Sequence, residues 1–161
     1  MNDQQDIAKR RKPGRGGPMT FSYGLLPGLI GYHVRRAQVA VFQDFVRSLA
    51  ELQLTPGQFG VLVLIDANPG LNQTQLGRAL GIDRSTVVAV IDRLEGRGLV
   101  RRAPSPDDRR SYALRLSAAG KRQLAAALPR VREHEARLAR DLSAAEQAQL
   151  IALLDRIPDS G

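Results

Sequence analysis

The chain has 161 residues, 43% of them hydrophobic, and a formal net charge of +8. That length holds one ordinary domain, or one domain with a dimerisation segment, and the apolar fraction is too high for a disordered chain. The lack of cysteine excludes disulfide scaffolds, thiolate zinc sites and thiol nucleophiles, and two histidines, His33 and His134, are too few for a metal cluster within one chain. The longest apolar run falls far short of the ~20 residues of a membrane span. The polar N-terminus has no secretory core either, so a soluble cytoplasmic protein with no cofactor and no metal is expected. Of the 24 cations 21 are arginine. Such an excess favours a polyanionic partner through counterion release, although a well-solvated arginine-rich surface would look the same.

Residues 1–20 read as a disordered tail around Lys9-Arg10-Arg11-Lys12-Pro13-Gly14-Arg15, either an arm along a phosphate backbone or a solvated leader. From about Pro27 to Leu52, Ile30, Val34, Ala37, Val41, Phe45, Leu49 and Leu52 recur at helical spacing, which predicts one long amphipathic helix. Thr55-Pro56-Gly57-Gln58 starts a second helix with a capping box, and Asn68-Pro69-Gly70 stops it. Asn72 and Gln75 repeat the box before a short helix to about Leu80. Gly81 turns the chain, and Asp83 caps a helix from Arg84 to about Arg97. Two short helices around a glycine turn are a helix-turn-helix signature. Residues 99–103 and 111–116 flank a tip rich in proline and aspartate, a pattern for a β-wing. Ser117 caps a long helix to about Arg140 in which Pro129 predicts a kink, and Ser143–Glu146 opens a last helix with Leu150, Leu153, Leu154 and Ile157.

These features together have a family likeness. Leu54-Thr55-Pro56-Gly57-Gln58-Phe59, Gln75-Leu76-Gly77-Arg78-Ala79-Leu80-Gly81-Ile82, Asp83-Arg84-Ser85-Thr86-Val87 and Asp92-Arg93-Leu94-Glu95-Gly96-Arg97-Gly98-Leu99-Val100 carry the match. Asp107-Asp108-Arg109-Arg110 and Leu114-Arg115-Leu116-Ser117 continue it. From about Leu29 to Ile157 the chain resembles the MarR family of winged helix-turn-helix transcriptional regulators. The resemblance implies a mainly α fold with a small β-wing and long dimerisation helices. It also implies a homodimer that presents one winged module to each half-site of a pseudo-palindromic double-stranded DNA operator. The apolar stripes of the outer helices, too long for the small core between them, agree with a second chain. The expected organisation is a basic tail (1–20), an N-terminal dimerisation helix (21–53), a winged helix-turn-helix domain (54–116) and C-terminal dimerisation helices (117–161).

Within such a module, Val87, Val90, Ile91 and Leu94 should pack inward. The N-terminal turns of the recognition helix then offer Arg84, Ser85, Thr86, Val88 and Ala89 to the major groove. Arg84 suits guanine, unless it pairs with Asp83 or a nearby acid. Ser85 and Thr86 suit bases or phosphate, and Val88 and Ala89 a thymine methyl. Gln73 and Thr74, at the positive end of the preceding helix, suit phosphate oxygens, or serve only that helix's start. By the family's wing pattern Asp108 braces Arg110 in the minor groove, with Arg109 at the phosphates. Residues 72–116 hold nine arginines against five acids, so much of the net charge sits on this module.

The family commonly takes a small molecule between the dimerisation helices and the winged module. Tyr32, His33, Arg36, Ala40, Phe59 and Val63 are the candidates for such a pocket, His33 and Arg36 suiting an anion unless they pair with acids of the partner chain. The stretch from Leu26 to Gln38 resembles a subgroup that represses aromatic-acid catabolism and senses hydroxycinnamoyl-CoA thioesters. Arg35, Arg36 and the tail would then meet coenzyme A phosphates. The expected function is a repressor released by a small aromatic effector. The alternatives are an effector-independent activator or architectural DNA binder and, more remotely, a small-molecule enzyme, for which no catalytic constellation can be picked out.

Overall fold

A computed structural model of the chain describes residues 21–104 and 112–157; the basic tail and the wing tip, with Asp108, Arg109 and Arg110, lie outside the described residues. The chain divides into two compact units, Met1–Arg35 and Arg36–Gly161. In the first, a 3-10 turn at Leu26–Gly28 precedes an extended Leu29, and helix α1 (Ile30–Ser48) begins after it and continues into the second. Tyr23 and Tyr32 lie with ring centroids 6.4 Å apart, Tyr32 meets the edge of His33 at 5.4 Å, and His33 Nε2 donates to the Pro27 carbonyl at 2.9 Å.

The second unit carries α2 (Pro56–Ala67), α3 (Gln73–Leu80), α4 (Arg84–Gly96), strands β1 (Val100–Pro104) and β2 (Tyr112–Leu116), α5 (Ala118–Leu138) and α6 (Ala144–Leu154). The expected caps form as local chemistry dictates. Thr55 with Gln58, Asn72 with Gln75 and Ser143 with Glu146 make reciprocal capping boxes, while Asp83 and Ser117 cap α4 and α5. Gly81 closes α3 at φ +61°, a conformation that costs glycine least, and so sets the elbow of the helix-turn-helix. Leu49, Leu62, Leu76, Val87, Ile91, Leu94 and Leu114 fill one core beneath α3 and α4. The strands pair antiparallel with Val100 opposite Leu116 and Pro104 opposite Tyr112, and Leu114 N–H also donates to the Leu71 carbonyl ahead of α3 at 2.8 Å.

The long helix expected from Pro27 to Leu52 is shorter. It ends at Ser48 and gives way to a 3-10 turn, Ala50–Leu52, with Gln53 at φ +51°. The turn is held by residues far along the chain. Arg97 donates to the carbonyls of Gln53 (2.8 Å) and Leu52 (3.0 Å), and Gln123 donates to Leu52 (2.6 Å). The Leu52 carbonyl finds no helical donor four residues on, because Pro56 there has no N–H, and the two side chains take that donor's place.

Helix α5 runs through Pro129, which has no N–H to offer to the preceding turn. It is held near both ends. Ser117 Oγ donates to the Gly98 carbonyl at 2.6 Å, and Gly120 sits so near Leu99 that a Cβ there would stand 2.0 Å from the Leu99 carbonyl oxygen. Further along, buried His134 donates through Nδ1 to Asp44 of α1 at 2.8 Å, its ring edge-on to Phe45 at 5.3 Å. Asp44 also accepts from Arg47 and Arg137, each at 3.0 Å. The His134 bond above all, then Arg47, holds its carboxyl well below the usual value of 3.8.

Gly120→Ala is expected to destabilise the protein by ~1–3 kcal/mol, read as a lower urea midpoint at fixed chain concentration. Asp44 titrates lower in the folded chain than in the unfolded one. Its contribution is therefore complete above its ordinary range and fades as the pH falls through the folded value. Asp44→Asn should lower stability at neutral pH, and the gap between variant and parent should narrow below about pH 4 in acid-unfolding curves.

Candidate nucleic-acid interface

On α4 the apolar positions divide as their spacing predicts, with Val87, Ile91 and Leu94 buried and Val90 half-buried. The outward turns carry exposed Arg84, Ser85, Thr86 and Ala89, with Val88 half-buried. Asp83 accepts from the Thr86 amide at 3.0 Å, from the Thr86 hydroxyl at 2.6 Å and from the Ser85 hydroxyl. These bonds, Ser85's first and Thr86's next, hold the carboxyl well below the ordinary aspartate range. Asp83 is thus engaged with hydroxyls, and no ion pair with Arg84 occurs among the described residues.

Arg102 of β1 binds the wing to the recognition helix. Its guanidinium meets Asp92 at 2.5 Å and also Glu95, both on α4, while its own amide donates to Glu95 at 3.3 Å. With the Gln73 amide oriented to satisfy both partners, Gln73 Oε1 accepts from Arg102 Nε and Nη2 at 3.2 and 3.0 Å. Asp92 first, with Glu95 adding charge, makes the guanidinium hold its proton more firmly still. Gln73 is therefore partly a structural residue, its NH2 end remaining as a donor suited to phosphate. Arg97, counted among the module's cations, is exposed and donates to the Leu52 and Gln53 carbonyls.

A cavity of about 500 Å³ opens between α3 and α4, lined by Gln73, Thr74, Gly77, Arg78, Gly81, Ile82 and Arg84. It brings together Gln73, Thr74 and Arg84, three residues expected at DNA. It adds Arg78, which sequence reasoning missed. The signal was present, since Arg78 sits in the last turn of α3, three residues before Gly81, but the pattern there spoke only of helix ends.

The expected effector residues fall in both units. In the first, exposed His33 donates through Nε2 to the Pro27 carbonyl. Tyr32 is half-buried and Arg35 exposed. In the second, Arg36 and Ala40 are exposed on α1. Phe59 is half-buried with its ring 5.8 Å from that of Phe45, and Val63 packs half-buried against the core.

An elbow of two helices, an exposed polar first turn on the second and a strand pair pinned beside it define a winged helix-turn-helix DNA-binding module. The comparisons with known proteins place it further. Residues 54–112 match the MarR family, and the chain is 38% identical to a protein assigned as transcriptional regulator for the hcr operon of Thauera aromatica, over 92% of this chain and 90% of that one. The chain belongs to the MarR family. Among solved structures it is similar to the transcriptional repressor CouR bound to a 23-mer DNA duplex, with 46% identity, 86% of this chain and 99% of that one covered, and a TM-score of 0.81. It is also similar to CouR bound to p-coumaroyl-CoA, with 43% identity, 88% and 100% covered, and a TM-score of 0.80.

Arg102→Ala strands Asp92 and Glu95 without their cation beside a polyanion. It is expected to weaken DNA binding roughly tenfold or more in an anisotropy titration, and Arg102→Lys should not restore it, because an ammonium lacks the planar fork.

Proposed function

We propose that the protein is a sequence-specific DNA-binding repressor of an aromatic-acid catabolic operon. It acts as a homodimer in the cytoplasm, by binding and not by catalysis, and is released from its operator by an aromatic acyl-CoA thioester. The observation that carries the DNA-binding part is the exposure of Arg84, Ser85, Thr86 and Ala89 at the start of α4, beside the cavity shared by Arg78 and Arg84. Arg84, Ser85, Thr86, Val88 and Ala89 are assigned to base edges, Gln73 and Thr74 to the backbone, and the Asp108-Arg109-Arg110 wing to the adjacent minor groove.

The dimer is supported by surface that a single chain leaves bare. Helix α6 has no buried residue, and Leu150, Ile151, Leu153, Leu154 and Ile157 are all exposed, as are Leu128 and Leu138 of α5. Along α1, Val39, Val41, Phe42 and Val46 are exposed as well. Apolar surface on this scale calls for a partner, and a second copy supplies the same faces by symmetry. The segments are assigned accordingly, 21–53 and 117–161 to pairing, 54–116 to DNA, and the tail 1–20 as a basic arm. Two recognition helices then meet half-sites about one helical turn, roughly 34 Å, apart.

The effector class is supported by the likeness to CouR, which has been solved both with DNA and with p-coumaroyl-CoA. Tyr32, His33 and Arg35 in the first unit and Arg36, Ala40, Phe59 and Val63 in the second are the residues assigned to it. An effector that prefers a half-site spacing unlike that of the operator weakens binding by its differential affinity, typically 5- to 150-fold.

Fluorescence anisotropy with duplex from the gene's own upstream region tests this, with p-coumaroyl-CoA, free p-coumarate or neither. Release by the thioester alone is the expected result. Tight binding untouched by either compound would remove the effector and leave a plain DNA-binding regulator.

A further inference from the structure

The hydroxyls at the start of the recognition helix have a fixed polarity. An ionised carboxylate has lone pairs and no proton, so every bond that Asp83 makes here is one it accepts. The Thr86 hydroxyl therefore points its only proton at Asp83, at 2.6 Å, and the Ser85 hydroxyl does the same. The Thr86 amide, at 3.0 Å, completes the cap and holds the carboxylate in place. Both side chains are nevertheless exposed. Toward solvent or DNA each hydroxyl then offers lone pairs alone.

That excludes the partner usually assumed for serine and threonine at DNA. Phosphate oxygens only accept, as do guanine O6 and N7 and thymine O4, and two acceptors facing each other repel. The major-groove groups that donate are the exocyclic amines, N6 of adenine and N4 of cytosine. The Asp83 charge pushes the same way, since it opposes a phosphate close by, whereas the cavity with Arg78 and Arg84 provides cations for the backbone.

Building on the DNA-binding function proposed above, we infer that Asp83 is a specificity-determining residue. By turning the Ser85 and Thr86 protons inward, it makes these side chains acceptors that select adenine or cytosine on the strand they face and reject guanine and thymine. Asp83 itself touches no base; it acts through its two neighbours.

The test is selection from a random-sequence duplex library with the parent protein and with Asp83→Asn, Ser85→Ala and Thr86→Val. Asparagine still caps the helix through its carbonyl, but its NH2 donates, which frees a hydroxyl proton to point outward. The parent should enrich half-sites with adenine or cytosine at the one or two positions that Ser85→Ala and Thr86→Val make indifferent. Asp83→Asn, with unchanged helical circular dichroism, should lose about tenfold or more of that preference at those positions and keep the rest of the half-site. The inference is overturned if the parent prefers guanine or thymine there, or if Asp83→Asn reads the same bases as the parent. A parent that enriches no sequence at all would remove the DNA-binding function together with this inference.

Discussion

Arg102 is the point on which the DNA-facing half of the molecule depends. Its strand would otherwise be one arm of a two-stranded hairpin, an element with marginal stability of its own. One guanidinium engages Asp92, Glu95 and Gln73, and so refers the wing strand, the recognition helix and the first helix of the pair to a single planar group. The arrangement is costly to desolvate and only a quarter of the side chain is exposed, so its worth lies in orientation more than in net stability. In the function proposed above, a wing arginine enters a groove beside the helix assigned to the bases, and that use needs such an orientation.

The remaining framework divides between a core that one chain completes and surfaces that it does not. Leu62, Leu76, Ile91, Leu94 and Leu114 close the winged module around themselves. Helix α6 and the outer faces of α1 and α5 bury little in one chain. Stability and assembly are then the same quantity for these helices, and it varies with protein concentration. Arg97 ties the winged module to the Leu52 and Gln53 carbonyls, while Gln123 with Leu52, Arg130 with Glu51 and His134 with Asp44 tie α5 to α1 and the turn that follows it.

What the sequence revealed follows from the range of the forces involved. Caps at Thr55, Asn72, Asp83, Ser117 and Ser143 were legible because each spans three or four residues. The inward face of α4 was legible because burial follows helical period. The turn that follows α1 was not, since it is held by Arg97 and Gln123, residues 45 and 71 positions away from Leu52. The bonds of Arg102 to Gln73 and of Arg97 to Leu52 and Gln53 were hidden for the same reason. A cation or amide reads as surface until a distant partner is known. The directions of the Ser85 and Thr86 protons were hidden at shorter range, because they depend on which rotamers share one carboxylate.

Helix α5 is seated at Gly120 against Leu99 and again at His134 against Asp44. The two seats are about four helical turns apart, so both come to face the body of the protein from nearly the same side of the helix. Adding or removing one residue between them would swing one seat by roughly 100° and move it about 1.5 Å along the axis. A helix can usually vary in length at modest cost, but this one is gauged like a ruler. Insertions and deletions will be refused between Gly120 and His134.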